Sequence, residues 1–126
     1  MGAQAGTNAC GYVSTPVADA SISVCPANWR LPTSGSGGEF AALNTAINSS
    51  STTSSTLLRS TWLGQYSGYW DSGAFYSLGS QASYWSSTND SNYYDANYLL
   101  FTSSSVNTSY GDYKDMGYAV RCIASQ

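Results

Sequence analysis

Histidine is missing altogether from the 126 residues of this chain. That absence removes the Ser-His-Asp constellation. With no CxxC pair either, it also removes the usual zinc and haem ligand sets. Charge is scarce: 9% of residues carry one, and the four basic residues are Arg30, Arg59, Lys114 and Arg121. At a net charge of −3 there is no basic patch to neutralise phosphates, so nucleic-acid binding is disfavoured. No apolar run approaches the ~20 residues of a membrane span, and no membrane insertion is expected. The opening Met-Gly-Ala-Gln-Ala-Gly has neither a basic nor an apolar signal region, so no signal peptide is visible. No glycine-rich loop joins a strand to a helix as nucleotide binding would require. Cysteine is limited to Cys10, Cys25 and Cys122, an odd number that leaves at least one outside an intrachain pair. These gaps exclude most catalytic machinery, and the chain reads as a non-enzyme without cofactor or metal.

Aromatic and small polar residues fill the space. Eleven Tyr and four Trp stand among abundant Ser, Thr, Asn and Gly. Disordered chains lack aromatics and are rich in charge, so this one is expected to fold, as a single domain over 1–126. Residues 1–20 read as a loose arm, with a short strand near 10–13. In Cys25-Pro-Ala-Asn-Trp-Arg-Leu-Pro-Thr33, Trp29 and Leu31 are expected to alternate inward as a core anchor. Ser36-x-x-Glu39 has the form of a capping box. The stripe Phe40, Leu43, Ile47 then predicts an amphipathic helix over 37–48. Asn48 to Thr56 reads as a Ser/Thr-rich linker or loop, and a short helix over 54–60 would bury Leu57 and Leu58. From 61 to 83, aromatics alternate with glycines in no clean period, which predicts long ordered loops. Strands are expected at Tyr84–Ser87, Ala96–Thr102 and Tyr118–Ile123, with 89–95 and 103–116 as connections. One or two helices followed by short antiparallel strands make the class α+β.

The most unusual stretch is Asn89 to Tyr118, where 23 of 30 residues are Asn, Asp, Ser, Thr, Tyr or Gly. Tyr, Ser, Gly and Asn are the residues of binding loops: Tyr brings stiff amphipathic area, and the small polar ones adapt their hydrogen bonds. The candidate ligand-binding residues are Asp90, Asn92, Tyr93, Tyr94, Asn97, Tyr98, Asn107, Tyr110, Asp112, Tyr113, Asp115 and Tyr118, clustered on one face. The aromatic loop 62–76 would flank them. Trp85, Ala96, Leu99, Phe101, Val106, Ala119, Val120 and Cys122 would form the frame that holds them. Asp90, Asp112 and Asp115 show no recognisable calcium-ligand spacing.

Several motifs together resemble one family. They are Cys-Pro-Ala-Asn-Trp-Arg-Leu-Pro-Thr at 25–33, Gly-Glu-Phe-x-x-Leu at 38–43, Tyr-Trp-Ser-Ser-Thr at 84–88, Ala-x-x-Leu-x-Phe at 96–101 and Ala-Val-Arg-Cys at 119–122. Over about residues 20–124 they resemble the Fibrobacter succinogenes major paralogous domain. The resemblance implies a C-type-lectin-like fold, with two helices packed on small twisted antiparallel sheets. It also implies kinship with the variable proteins of diversity-generating retroelements, in which a reverse transcriptase mutates adenines in one segment of the gene. Randomised adenines in an AAC or AAT codon yield Asn, Tyr, Asp, Ser, Thr and Gly among others, but never Lys, Glu, Gln, Met or Trp. In the tract only Lys114 and Met116 belong to the excluded set; either they are template-invariant or the tract is not fully randomised.

The function implied is display of a diversified surface to a protein or glycan target, on a prokaryotic cell or a phage virion. The alternative is a non-diversified adhesion or structural module of the same family. The sugar-binding motifs of calcium-dependent lectins are absent, since Trp85 is followed by Ser-Ser. The paired cysteines of the formylglycine-generating enzymes, which share the broad fold, are absent too. The resemblance further suggests a Cys25–Cys122 disulfide, contributing about 4 kcal/mol by chain entropy. Cys10–Cys25 is the other pairing, and in a reducing compartment all three would be free thiols.

Overall fold

The computed structural model describes residues 24–91 and 94–125. The order of elements is β1 (Trp29–Arg30), α1 (Glu39–Asn48), α2 (Thr56–Ser60), β2 (Tyr69–Asp71), β3 (Ala74–Tyr76), β4 (Gln81–Asn89), β5 (Asp95–Thr102), β6 (Ser105–Tyr113) and β7 (Ile123–Ala124). Among the described residues the architecture is mixed α+β: two helices and three small antiparallel sheets. Sheet order is β4-β5-β6 in the main sheet, β2-β3 in a hairpin and β1-β7 at the chain ends.

Strand β5 is the centre of the main sheet, and its two side-chain sets feed two cores. Successive strand residues point to opposite faces. Leu99 and Phe101 therefore join Ala82 and Tyr84 of β4, Val106 of β6, Phe40 of α1 and Leu58 of α2 on one face. Ala96 and Tyr98 join Trp85, Leu31 and Tyr118 on the other. Sequence alternation correctly turned Leu99 and Phe101 inward, and both are fully buried. All of the expected frame residues are buried or half-buried.

Helix α1 follows the expected stripe, with Phe40 buried and Leu43 and Ile47 packed on the same core. Its start differs. Gly38 is the N-cap with no side-chain cap, so Ser36 does not act. Thr33 takes that part from a distance: its hydroxyl accepts from the Glu39 amide (3.0 Å), and its own amide donates to the Glu39 carboxylate (2.9 Å). The same carboxylate takes a bidentate fork from Arg30 at 2.7 and 2.5 Å. Its pKa is drawn down to about 2, first by Arg30 and then by the Thr33 amide.

The stretch after α1 is tied rather than a free linker. Asn44 and Asn48, one helical turn apart, are both buried. Asn48 Nδ2 donates to Asn44 Oδ1 (2.9 Å) and to the Ser54 carbonyl (2.8 Å), and Asn44 Nδ2 donates to the Ser51 carbonyl (3.1 Å). In α2 only Leu58 is buried; Leu57 is exposed, because five residues make little more than one turn and present one side to the core.

Four expectations about strands are corrected. Trp29 is 50% exposed while Leu31 is buried, because β1 lies at the rim and pairs only with β7. The segment 61–83 contains the β2-β3 hairpin, closed by Ser72 and Gly73, both at positive φ as a tight hairpin turn requires. The supposed connection 103–116 is mostly β6, which pairs with β5 from Thr102↔Ser105 to Asp95↔Tyr113. The strand expected at 118–123 is reduced to β7. Residues before it make one parallel bridge, Tyr84↔Ala119, on an edge of β4 that Gly68 also occupies through Ala82. Ile123 then turns away to pair with Arg30.

The two ends of the described segment are joined covalently by Cys25–Cys122, with Cα atoms 5.8 Å apart and a separation of 97 positions in sequence. The pairing implied by the family resemblance is the one present. Cys10, the N-terminal arm and its expected strand near 10–13 lie outside the described residues.

Candidate binding surface

The candidate residues are carried by β5, β6 and the turns on either side, and the sheet divides them into two groups. Asn107 pairs with Leu100, Tyr110 with Tyr98, and Asp112 with Ala96, so these side chains share one face. Asn97 pairs with Gly111 and Asp95 with Tyr113, on the opposite face. Asp90 reaches that second face: its carboxylate lies over Gly111, where any side chain would collide with it. The candidates therefore do not occupy a single face, because the strand period of two distributes neighbours to both sides. Asp115 lies exposed in the turn after β6, and Tyr94 is exposed in the turn before β5. Asn92 and Tyr93 lie outside the described residues.

Exposure separates the tyrosines further. Tyr94, Tyr110 and Tyr113 are 49, 47 and 51% exposed, whereas Tyr98 and Tyr118 are 3 and 7% exposed. The last two are core residues packed on Trp85, with ring centroids 5.9 and 4.5 Å from the indole. Their polarity made them look like surface groups, but a phenol can bury its ring if its hydroxyl finds a partner. The Tyr118 hydroxyl donates to Asp112 Oδ2 at 2.5 Å. Burial pushes the Tyr98 phenol up to about 12. Tyr118 is raised as well, by burial first and then by its bond to Asp112.

These rings belong to a continuous row. Tyr76 stacks on Tyr69 at 5.5 Å, Tyr69 meets Tyr118 at 6.0 Å, Tyr118 meets Tyr98 at 4.4 Å, and Tyr98 meets Tyr110 at 5.7 Å. The row runs from the β2-β3 hairpin across the sheet to the edge strand, buried in the middle and half-exposed at each end. Tyr69 and Tyr76 fall within the 62–76 stretch expected to flank the contacts, but were not named among the contacts themselves. The usable signal was the spacing around Ser72-Gly73, which makes Tyr69 and Tyr76 cross-strand partners.

Lys114 and Met116 are the two residues of the tract that randomised AAY codons could not encode, and both point inward. Lys114 is buried, and burial draws its ammonium pKa down while Asp95 opposes the shift. Met116 packs against the core built on Trp85. Among the described residues, no three His, Cys, Asp or Glu side chains gather as a metal site would require. No described helix is long and apolar enough to cross a membrane. A separate groove of about 390 Å³ lies by the chain ends, lined by Trp29, Phe40, Leu43, Trp62 and Ile123 among others, and none of the candidate residues borders it.

No family model matches this chain, and no curated protein or solved structure shows significant similarity to it.

Proposed function

We propose that this chain is a non-catalytic binding domain of C-type-lectin-like type, the variable protein of a diversity-generating retroelement, presenting the surface of 89–118 to a protein or glycan target. The observation that carries the proposal is the separation of frame from face within that tract. Leu99, Phe101, Val106 and Ala96 are buried. So is Lys114, while Met116 is half-buried against the core. Those last two are the residues that adenine mutagenesis of AAY codons could not generate, and they lie where variation would damage packing. Tyr94, Tyr110, Tyr113, Asn107 and Asp115 are exposed and could change at little cost to the fold. Two helices, small antiparallel sheets and chain ends joined by strand pairing and a disulfide are consistent with the lectin-like class.

The gene tests this directly. A near-identical template copy is expected beside the coding segment, with AAC or AAT at the exposed Asn and Tyr positions and unchanged codons at Lys114 and Met116. A neighbouring reverse transcriptase gene completes the expectation. Ordinary codons with no second copy would reject diversification. They would leave the alternative, a fixed adhesion or structural module of the same family. One observation favours that alternative locally: Tyr98 and Tyr118 lie in the polar tract yet are core residues, so they are not free to vary.

A further inference from the structure

The described ionisable groups are distributed unevenly. Of the seven carboxylates in the sequence, Asp71, Asp90, Asp95, Asp112 and Asp115 belong to the hairpin and the β4-β5-β6 end of the chain. The four cations are engaged elsewhere. Arg30 is forked onto Glu39, Arg59 lies 4.1 Å over the Tyr66 ring, Arg121 lies 4.4 Å over Trp62, and Lys114 is buried. The tyrosine row thus carries no exposed cation of its own among the described residues. It does carry a carboxylate at each end. Asp71 pairs with Ala74 in the hairpin, two residues from Tyr69, and shares the face of Tyr69 and Tyr76. Asp112 lies two residues from Tyr110 on the same face of β6 and receives the Tyr118 hydroxyl.

Resting on the binding role proposed above, we infer that the partner is a protein segment bearing arginine or lysine side chains, laid along the Tyr76–Tyr69–Tyr118–Tyr98–Tyr110 row between Asp71 and Asp112. An exposed tyrosine face attracts a cation through its quadrupole, and guanidinium more often than ammonium. A carboxylate beside the ring adds a charge-assisted hydrogen bond. Tyr76 and Tyr110, half-exposed at the two ends, offer the ring surface, and the buried middle of the row holds them in place. Charge complementarity selects a basic partner over an acidic one and steers its approach.

The test uses the full, disulfide-intact chain and calorimetric titration with an arginine-repeat peptide at about 0.15 M salt, where remote charges are largely screened. A citrulline-repeat peptide serves as the neutral isostere. The expected result is binding of the arginine peptide, with the citrulline peptide and the double variants Asp71→Asn/Asp112→Asn and Tyr76→Ala/Tyr110→Ala each weaker by about tenfold or more. Asparagine at 112 retains an oxygen to accept the Tyr118 hydroxyl, and unchanged thermal melting confirms the fold. Ala46→Lys, which makes a unit change of charge on the exposed side of α1, away from the row, is expected to leave affinity within about twofold, the difference expected of screened surface charge. Equal weakening by Ala46→Lys would reduce the effect to net charge and overturn the inference, as would equal affinity for the citrulline peptide. If a neutral oligosaccharide binds in a way that depends on Tyr110 while the arginine peptide does not bind, the surface is a binding face but the partner class is wrong. If nothing binds and the gene shows no template copy, the underlying function fails as well.

Discussion

Residue by residue, strand alternation predicted burial well for Leu99 and Phe101, whereas residue type alone misplaced Leu57, Trp29, Tyr98 and Tyr118. Leu99 and Phe101 have no reason to meet water, and alternation placed them. Trp29 and Trp85 are the same residue type and both were expected to face inward, yet one is half-exposed at the rim and the other fully buried at the centre. Tertiary position decides between them, and no local signal carries it. The same holds for Tyr98 and Tyr118 against Tyr110 and Tyr113. Truncating Trp85 to alanine is expected to cost about 3–5 kcal/mol, the range for a large buried aromatic. Tyr113→Ala should stay within about 0.5 kcal/mol, as for an exposed side chain. Urea denaturation of the two variants measures both, and similar costs would contradict the placement of Trp85 in the core.

The elements legible in advance were α1, β4 and β5, with the short helix α2 expected over 54–60 and found at Thr56–Ser60. Strand β6 was not, because Ser-Val-Asn-Thr-Ser-Tyr-Gly-Asp-Tyr has turn-forming composition, and its pairing to β5 supplies what its propensity lacks. The β2-β3 hairpin escaped for a related reason, since three-residue strands are too short to display a period. The start of α1 was legible as a helix end but not in its mechanism. Glu39 was expected to cap its own helix and instead ties β1, Thr33 and α1 together. That role has a pH signature. A carboxylate whose pKa falls from 4.5 unfolded to about 2 folded stabilises the native state above about pH 4.5, and loses that contribution as pH falls toward 2. Melting temperature followed across that window should drop, and Glu39→Gln should flatten the drop. An unchanged acid limb in Glu39→Gln would show the node to be without consequence for stability.

At the scale of the molecule, the Cys25–Cys122 disulfide closes nearly the whole of the described segment. Bridging 97 residues of sequence should contribute between about 4 and 5 kcal/mol by restricting the unfolded chain. The double variant Cys25→Ser/Cys122→Ser is therefore expected to unfold at a much lower denaturant midpoint than the oxidised parent. Equal midpoints would place the stability elsewhere, in the two cores on β5. The α+β class followed from element order alone, whereas the cysteine pairing came only with the family resemblance, because three cysteines allow several pairings.

The pairing of β1 with β7 brings the entering and leaving strands side by side, with Arg30 opposite Ile123. A segment such as 24–125 that enters and exits through neighbouring strands can be spliced into a host loop as a cassette. The host would need to part its own backbone by no more than the width of a hairpin. The tyrosine-bearing sheet could then be carried on an unrelated scaffold without disturbing either partner's folding.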